Sequence, residues 1–268
     1  MLHGYGNDIS WHFQSTALQF ANAGYATFAM DYEGHGRSDG LRAYMEKYEN
    51  VVDDCVAFAK SIRERSECAG KPCFLYGESL GGGIALLIHK KEPHSWNGAV
   101  LVAPMCKISE KIKPPATVTK MLTWVAPLAP TLAVVPSKDV LSRSVKDLKK
   151  RELAQRNPAG YKGKPRLRTA LEFLRMCKFI EQHMHEVNLP FLVLHGDADV
   201  VTDPEVSKLL HKSAVSSDKT IKIYHGMWHQ IMTGEPDENV EIVFNDIIEW
   251  LDRRVTVATA WKKDLPDD

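Results

Sequence analysis

Apolar residues follow two spacings along this chain, and the order in which these take turns predicts the architecture. Val51, Val52, Cys55, Val56, Phe58, Ala59 and Ile62 recur at three-to-four spacing, as on a helix with one buried face. Residues 13–23 read as a second helix, with Gly24 placed where a helix stops. Short, mainly apolar runs at 25–30, 73–76, 98–103 and 191–194, and the segment 221–224, read instead as strands. Helices predicted over residues 80–91, 203–214 and 238–253 fall between or after them. Strands separated by helices need crossover connections, so the pattern predicts an α/β fold: a mostly parallel sheet with helices on both faces. Between residues 106 and 189 the alternation lapses. That stretch holds a proline-broken apolar run, a basic segment, and a helix carrying Leu167, Leu171, Leu174, Ile180 and Met184 on one face. It reads as an insertion. The core would then be 1–105 and 190–256, the insertion 106–189, and the C-terminal tail 257–268.

Composition narrows the function. The chain has 268 residues, 34 basic and 34 acidic, for a formal charge of zero. Without a long-range field to gather phosphates, nucleic acid is not an expected partner. Five cysteines at irregular spacing give neither a CxxC zinc pattern nor an even disulfide set, which favours a reducing, cytoplasmic setting and no metal. The start, Met1-Leu2-His3-Gly4-Tyr5-Gly6, lacks the basic and apolar regions of a signal peptide. The longest uncharged stretch in the middle of the chain, residues 121–137, is broken by Pro127, Pro130 and Pro136 and does not span a membrane. A peripheral contact through its greasy face is the most it would make.

The chemistry starts at Gly77-Glu78-Ser79-Leu80-Gly81, which joins a predicted strand to a predicted helix. A serine at so sharp a turn sits in a strained conformation, and Gly77 and Gly81 remove the Cβ atoms that would clash. Ser79 is therefore the candidate nucleophile. It needs a base, and the base needs an orienting carboxylate. His89, His94 and His211 fall on helices or turns as ordinary surface histidines, and His183 and His185 point to different faces. His229 follows the 221–224 strand in a short loop and is the candidate base, with His225 as runner-up. In His195-Gly196-Asp197-Ala198-Asp199, Asp197 and Asp199 qualify as the acid, as does Asp203 further on. Asp197 or Asp203 could equally close the turn or cap the next helix. Acyl transfer also needs two backbone N–H donors for the oxyanion. Leu80, after the nucleophile, is one, and Tyr5 of His3-Gly4-Tyr5-Gly6 is the other.

Together HGYG, EGHGRSDG, GESLGGG, VLVAPM, HGDADVVTD and KIYHGMWH resemble, in collinear order over nearly the whole chain, the monoacylglycerol lipase family of serine hydrolases. The motifs resemble those of the plant-type members in particular, caffeoylshikimate esterase among them. The resemblance implies an α/β-hydrolase core with a helical lid at 106–189, Ser79 as nucleophile, His229 as base and Asp199 as acid. It also implies that the loop from Asp31 to Gly40 is structural. Family members carry an N-terminal pair of strands and a third leading into the HG motif; here Met1 and Leu2 precede His3, so those strands are expected to be missing and the chain to be marginally stable. The expected activity is cofactor-free hydrolysis of a small carboxylic ester or lipid, monoacylglycerol first. A phenylpropanoid ester such as caffeoylshikimate, or an inert or merely ligand-binding α/β-hydrolase-fold protein, is the alternative. Leu122, Trp124, Val125 and Leu128 of the lid are expected either to line the substrate entrance or to form simple lid core.

Overall fold

The computed structural model describes residues 1–107, 116–135 and 139–263. Among them four strands build one parallel sheet in the order β1 (Phe74–Glu78), β2 (Gly98–Val102), β3 (Phe191–Gly196), β4 (Lys219–Tyr224). Register runs from Phe74 opposite Gly98, through Ala99 opposite Phe191, to Phe191 opposite Lys219. Alternate residues serve opposite faces, as the pleat requires. Leu75, Ala99, Leu101, Phe191 and Val193 join one apolar cluster, while Tyr76, Val100, Val102, Leu192 and Leu194 join the other.

Helices cover both clusters. On the first face lie α2 (Tyr48–Arg63), α3 (Leu80–Lys91), α7 (Leu167–His183) and α8 (Pro204–Ser213); on the second lie α1 (Trp11–Asn22) and α9 (Asp237–Lys263). The segment between β2 and β3 supplies α4 (Ala116–Val125), α5 (Val140–Ser144), α6 (Leu148–Arg156), α7 and a closing 3₁₀ turn, Met184–Glu186. It contains helices and no strand among the described residues, as its pattern predicts. Its longest helix, α7, is fastened to the core: Thr169 Oγ1 accepts from the Met45 N–H at 2.9 Å and Glu172 Oε2 from the Tyr48 N–H at 3.2 Å. Thr169 and Glu172 are therefore buried, whereas Leu171 and Leu174, expected on the inner face, are half-buried.

Residues 25–30, expected as a strand, are not part of the sheet. A ladder needs successive residues on a neighbouring strand, and here the neighbour is Met1-Leu2. The Met1 ammonium donates to the Phe28 carbonyl at 2.7 Å, and Leu2 makes a single isolated bridge with Gly77. The strand predicted at 98–103 stops at Val102 because Ala103 turns to a φ of 42°. No described helix is long and apolar enough to cross a membrane.

Candidate active site

Ser79 lies between β1 and α3 with φ 52° and ψ −113°, a conformation that costs a non-glycine residue about 1–3 kcal/mol. Neighbouring backbone holds it there. Its N–H donates to the Val102 carbonyl at 2.9 Å, and its own carbonyl accepts from Met105 at 2.8 Å and Gly82 at 3.0 Å. The flanking glycines are needed for close approach: a Cβ on Gly77 would sit 2.4 Å from the Gly81 carbonyl oxygen, and one on Gly81 would sit 2.1 Å from that of Leu2. Ser79 stays partly exposed while Leu80 is fully buried beneath it.

The His3–Gly6 loop passes directly beside the serine, with the Cβ position of Gly4 3.5 Å from Ser79 Cβ. Asn7 donates to the Gly4 carbonyl at 3.2 Å, closing a turn with Gly6 at φ 74°. Such a turn leaves the Tyr5 N–H out of its own hydrogen bond. Leu80 opens α3, so its N–H likewise has no partner within the helix. The residues 31–43 clamp this loop: Tyr32 stacks on His3 at 4.0 Å and donates through its hydroxyl to the His3 carbonyl, and Tyr5 donates to the Ala43 carbonyl at 3.0 Å. Asp31 accepts from the N–H groups of Ile9 and Arg37. The Asp31–Gly40 loop thus braces the site through two side chains, the Tyr32 phenol on His3 and the Asp31 carboxylate on the Ile9 and Arg37 N–H groups.

The loops after β3 and β4 bring the acid and the base together. His229 Nδ1 lies 2.6 Å from Asp199 Oδ2, and both residues are buried. A carboxylate only accepts, so Nδ1 carries the proton and Nε2 holds the lone pair. Burial alone would raise the Asp199 carboxyl. The facing His229 and the hydrogen bonds from His195 and His229 outweigh it and hold Asp199 well below the usual carboxylate range. The N–H groups of Val201 and Thr202 donate to Asp199 Oδ1 at 2.7 and 3.0 Å. Thr202 ties this pair to the serine, because its hydroxyl reaches Asp199 Oδ2 at 2.7 Å and also the Ala103 carbonyl, one residue beyond the Val102 that holds Ser79.

The other candidates fall elsewhere. Asp197 is exposed and accepts from His225 Nδ1 at 2.8 Å and the Gly226 N–H at 2.6 Å, so the runner-up acid and the runner-up base pair with each other on the surface. Asp203 caps α8 by accepting from the Glu205 N–H. Trp124, Val125 and Leu128 are exposed, Trp124 by 81% and Leu128 by 87%, so these three do not form lid core. Leu122 belongs to α4, but its side chain lies outside the described residues.

Sequence reasoning assigned nothing to His195. It is fully buried, with Nε2 3.0 Å from Asp199 Oδ2 and Nδ1 2.7 Å from Ser207 Oγ. Its position inside a buried strand was the one available signal. Glu78 was likewise read only as part of the elbow; it is buried, and Tyr76 donates to its Oε1 at 2.5 Å. Among the described residues no three of His, Cys, Asp and Glu converge on a point that could hold a metal ion.

A family model described as serine aminopeptidase, S33, matches residues 1–237. The chain belongs to this family. Caffeoylshikimate esterase of Arabidopsis thaliana is 43% identical over 256 residues, covering 95% of this chain and 77% of that protein. Monoglyceride lipase of Mus musculus is 30% identical over 235 residues, 87% of this chain and 75% of that protein. The crystal structure of a monoacylglycerol lipase from Paleococcus ferrophilus superposes with a TM-score of 0.79 at 24% identity, covering 94% of this chain and 93% of that one. A soluble variant of the Saccharomyces cerevisiae monoglyceride lipase, solved with a substrate analogue, gives 0.81 at 22% identity, covering 94% and 85%. These superpositions place the S33 chain in the α/β-hydrolase fold.

Proposed function

We propose that the protein is a cofactor-free serine hydrolase of carboxylic esters, with Ser79, His229 and Asp199 as its triad. The observation that carries this reading is the buried 2.6 Å contact between Asp199 and His229, at the same sheet end as the strained Ser79. His229 Nε2 takes the Ser79 hydroxyl proton as Oγ bonds to the substrate carbonyl carbon. The oxyanion accepts from the Tyr5 and Leu80 N–H groups, and the helix α3 N-terminus adds its positive end. His229 then protonates the leaving alkoxide as the ester C–O bond breaks. Water, deprotonated by His229, attacks the acyl-enzyme; the acid departs and Ser79 regains its proton.

Monoacylglycerol is the substrate class we put first. Trp124 and Leu128 expose large apolar side chains on the 106–189 segment, read as the lid, and a surface of this kind suits contact with a lipid aggregate. The 43% identity to a caffeoylshikimate esterase favours a second reading, a phenylpropanoid ester. Comparing kcat/KM on 2-monooleoylglycerol and on caffeoylshikimate separates the two. For the chemistry itself, a fluorophosphonate probe should label the protein at Ser79, and Ser79→Ala should abolish both labelling and hydrolysis of p-nitrophenyl acetate. A folded, unlabelled wild-type chain would mean an inert or purely ligand-binding protein, and activity surviving in Ser79→Ala would remove the serine from the mechanism.

A further inference from the structure

His195 stands on β3, just before the loop that carries Asp199, and its side chain is fully buried. Its Nε2 lies 3.0 Å from Asp199 Oδ2, the same oxygen that His229 Nδ1 meets at 2.6 Å. One carboxylate oxygen therefore sits between two imidazoles. Asp199 is held ionised, and an ionised carboxylate only accepts, so each ring aims an N–H at it. His229 presents Nδ1–H and His195 presents Nε2–H. In a neutral imidazole the other nitrogen accepts, and the Ser207 hydroxyl on α8 donates to His195 Nδ1 at 2.7 Å. Ser207 is fully buried as well. The Thr202 carbonyl and hydroxyl each lie 3.3 Å from His195 Nε2, further than Asp199 does. The other carboxylate oxygen, Oδ1, is taken by the Val201 and Thr202 N–H groups. Both oxygens are thus pinned before His229 is counted.

We propose that His195 is a positioning residue acting through Asp199: its Nε2–H holds the carboxylate so that Oδ2 faces His229, and Ser207 holds His195 in the tautomer that can do so. No proton travels along this chain. Ser207 donates to His195, His195 donates to Asp199, and Asp199 accepts from His229. Without His195 the carboxylate can turn about its Cβ–Cγ bond, and His229 loses the partner that fixes its own tautomer and orientation. A hydrogen bond to a charged group, converted to rate, corresponds to about 10- to 100-fold. The inference rests on the proposed triad, in which Asp199 orients His229.

The test is a double-mutant cycle between His195 and Asp199, with melting curves to check that each variant is folded. It is read from the rate at which a fluorophosphonate probe labels Ser79, and from kcat and KM on p-nitrophenyl acetate. His195→Leu removes the donor and should lower kcat and the labelling rate by about 10- to 100-fold, with KM near wild type. His195→Gln keeps an N–H close to the place of Nε2 and should restore kcat to within about 5-fold of wild type. In the Asp199→Asn background His195→Leu should cost nothing further, because the residue it acts through is gone. Losses that multiply in the double variant, or equal losses for His195→Leu and His195→Gln, would leave His195 a core residue and overturn the inference. Where His195→Leu does not fold, Ser207→Ala carries the same cycle. It frees the His195 tautomer and should slow labelling a few-fold beside Asp199 and not at all in the Asp199→Asn background; an unchanged rate, or the same loss in both backgrounds, would overturn the inference. Asp199→Asn alone tests the triad: full activity in that variant would defeat the triad reading itself, whereas a damaged Asp199→Asn with multiplying losses defeats only the role of His195.

Discussion

Glu78→Gln should stabilise the protein, and only on the alkaline side. The carboxyl rises from an ordinary 4.5 to about 7 on folding because burial disfavours the charged form. Between those values the folded chain keeps a proton that the unfolded chain has released, so stability falls as pH rises through the window and stays lower above it. At about 1.36 kcal/mol per pH unit, the gap amounts to roughly 3 kcal/mol. Glutamine has nearly the same shape, its amide oxygen still accepts from Tyr76, and it carries no charge to bury. The two proteins should therefore melt within a degree or two of each other near pH 5. Near pH 8.5 the variant should melt higher by about 6–12 °C, taking roughly 2–4 °C per kcal/mol for chains of this size. Differential scanning calorimetry at the two pH values in matched ionic strength measures this directly. An equal difference at both would show that the ionisation of Glu78 is not opposed by folding, and the electrostatic account of this side chain would go with it.

Three further outcomes follow from the geometry. Asp199→Asn should lower kcat by orders of magnitude, about 10⁴ by analogy with the serine-protease triad, while Asp197→Asn, on the exposed pair with His225, leaves kcat near wild type; equal losses in two folded variants would unseat Asp199. Gly81→Ala should destabilise by about 1–3 kcal/mol in chemical denaturation, because its Cβ meets the Leu2 carbonyl oxygen at 2.1 Å; unchanged stability would mean that the Leu2–Gly4 backbone is free to retreat. Replacing Trp124 and Leu128 together by serine should weaken turnover of vesicle-presented monooleoylglycerol and spare p-nitrophenyl acetate, since acyl burial contributes about 0.8 kcal/mol per CH₂ that a short ester does not draw on; a uniform loss on both substrates would put these residues in a structural role.

The parts of this protein legible in its sequence are those whose physics is local. Gly77-Glu78-Ser79-Leu80-Gly81 declares a strand-to-helix elbow because the steric demand falls on residues two apart, and the coordinates show the same contacts. The parallel sheet was legible too, since strands buried on both faces write continuous apolar runs. The prediction failed at residues 25–30, where the run is apolar but only Leu2 makes a bridge alongside β1; a strand is defined by its neighbour, and composition does not say whether one is present. Choosing among Asp197, Asp199 and Asp203 was equally beyond the residues alone. All three are aspartates in one loop, and what distinguishes them is which way each side chain is held: toward His225 in solvent, toward buried His229, or back onto the N-terminus of α8. The resemblance to known hydrolases pointed to Asp199, and the fold supplies the reason, because loops 30 residues apart in sequence meet at one end of the sheet. His195 and Glu78 were visible only as members of motifs, with no role attached to either. What sets them apart is burial, His195 against the Asp199 carboxylate and Glu78 against the Tyr76 hydroxyl, and burial is a property of the packed chain.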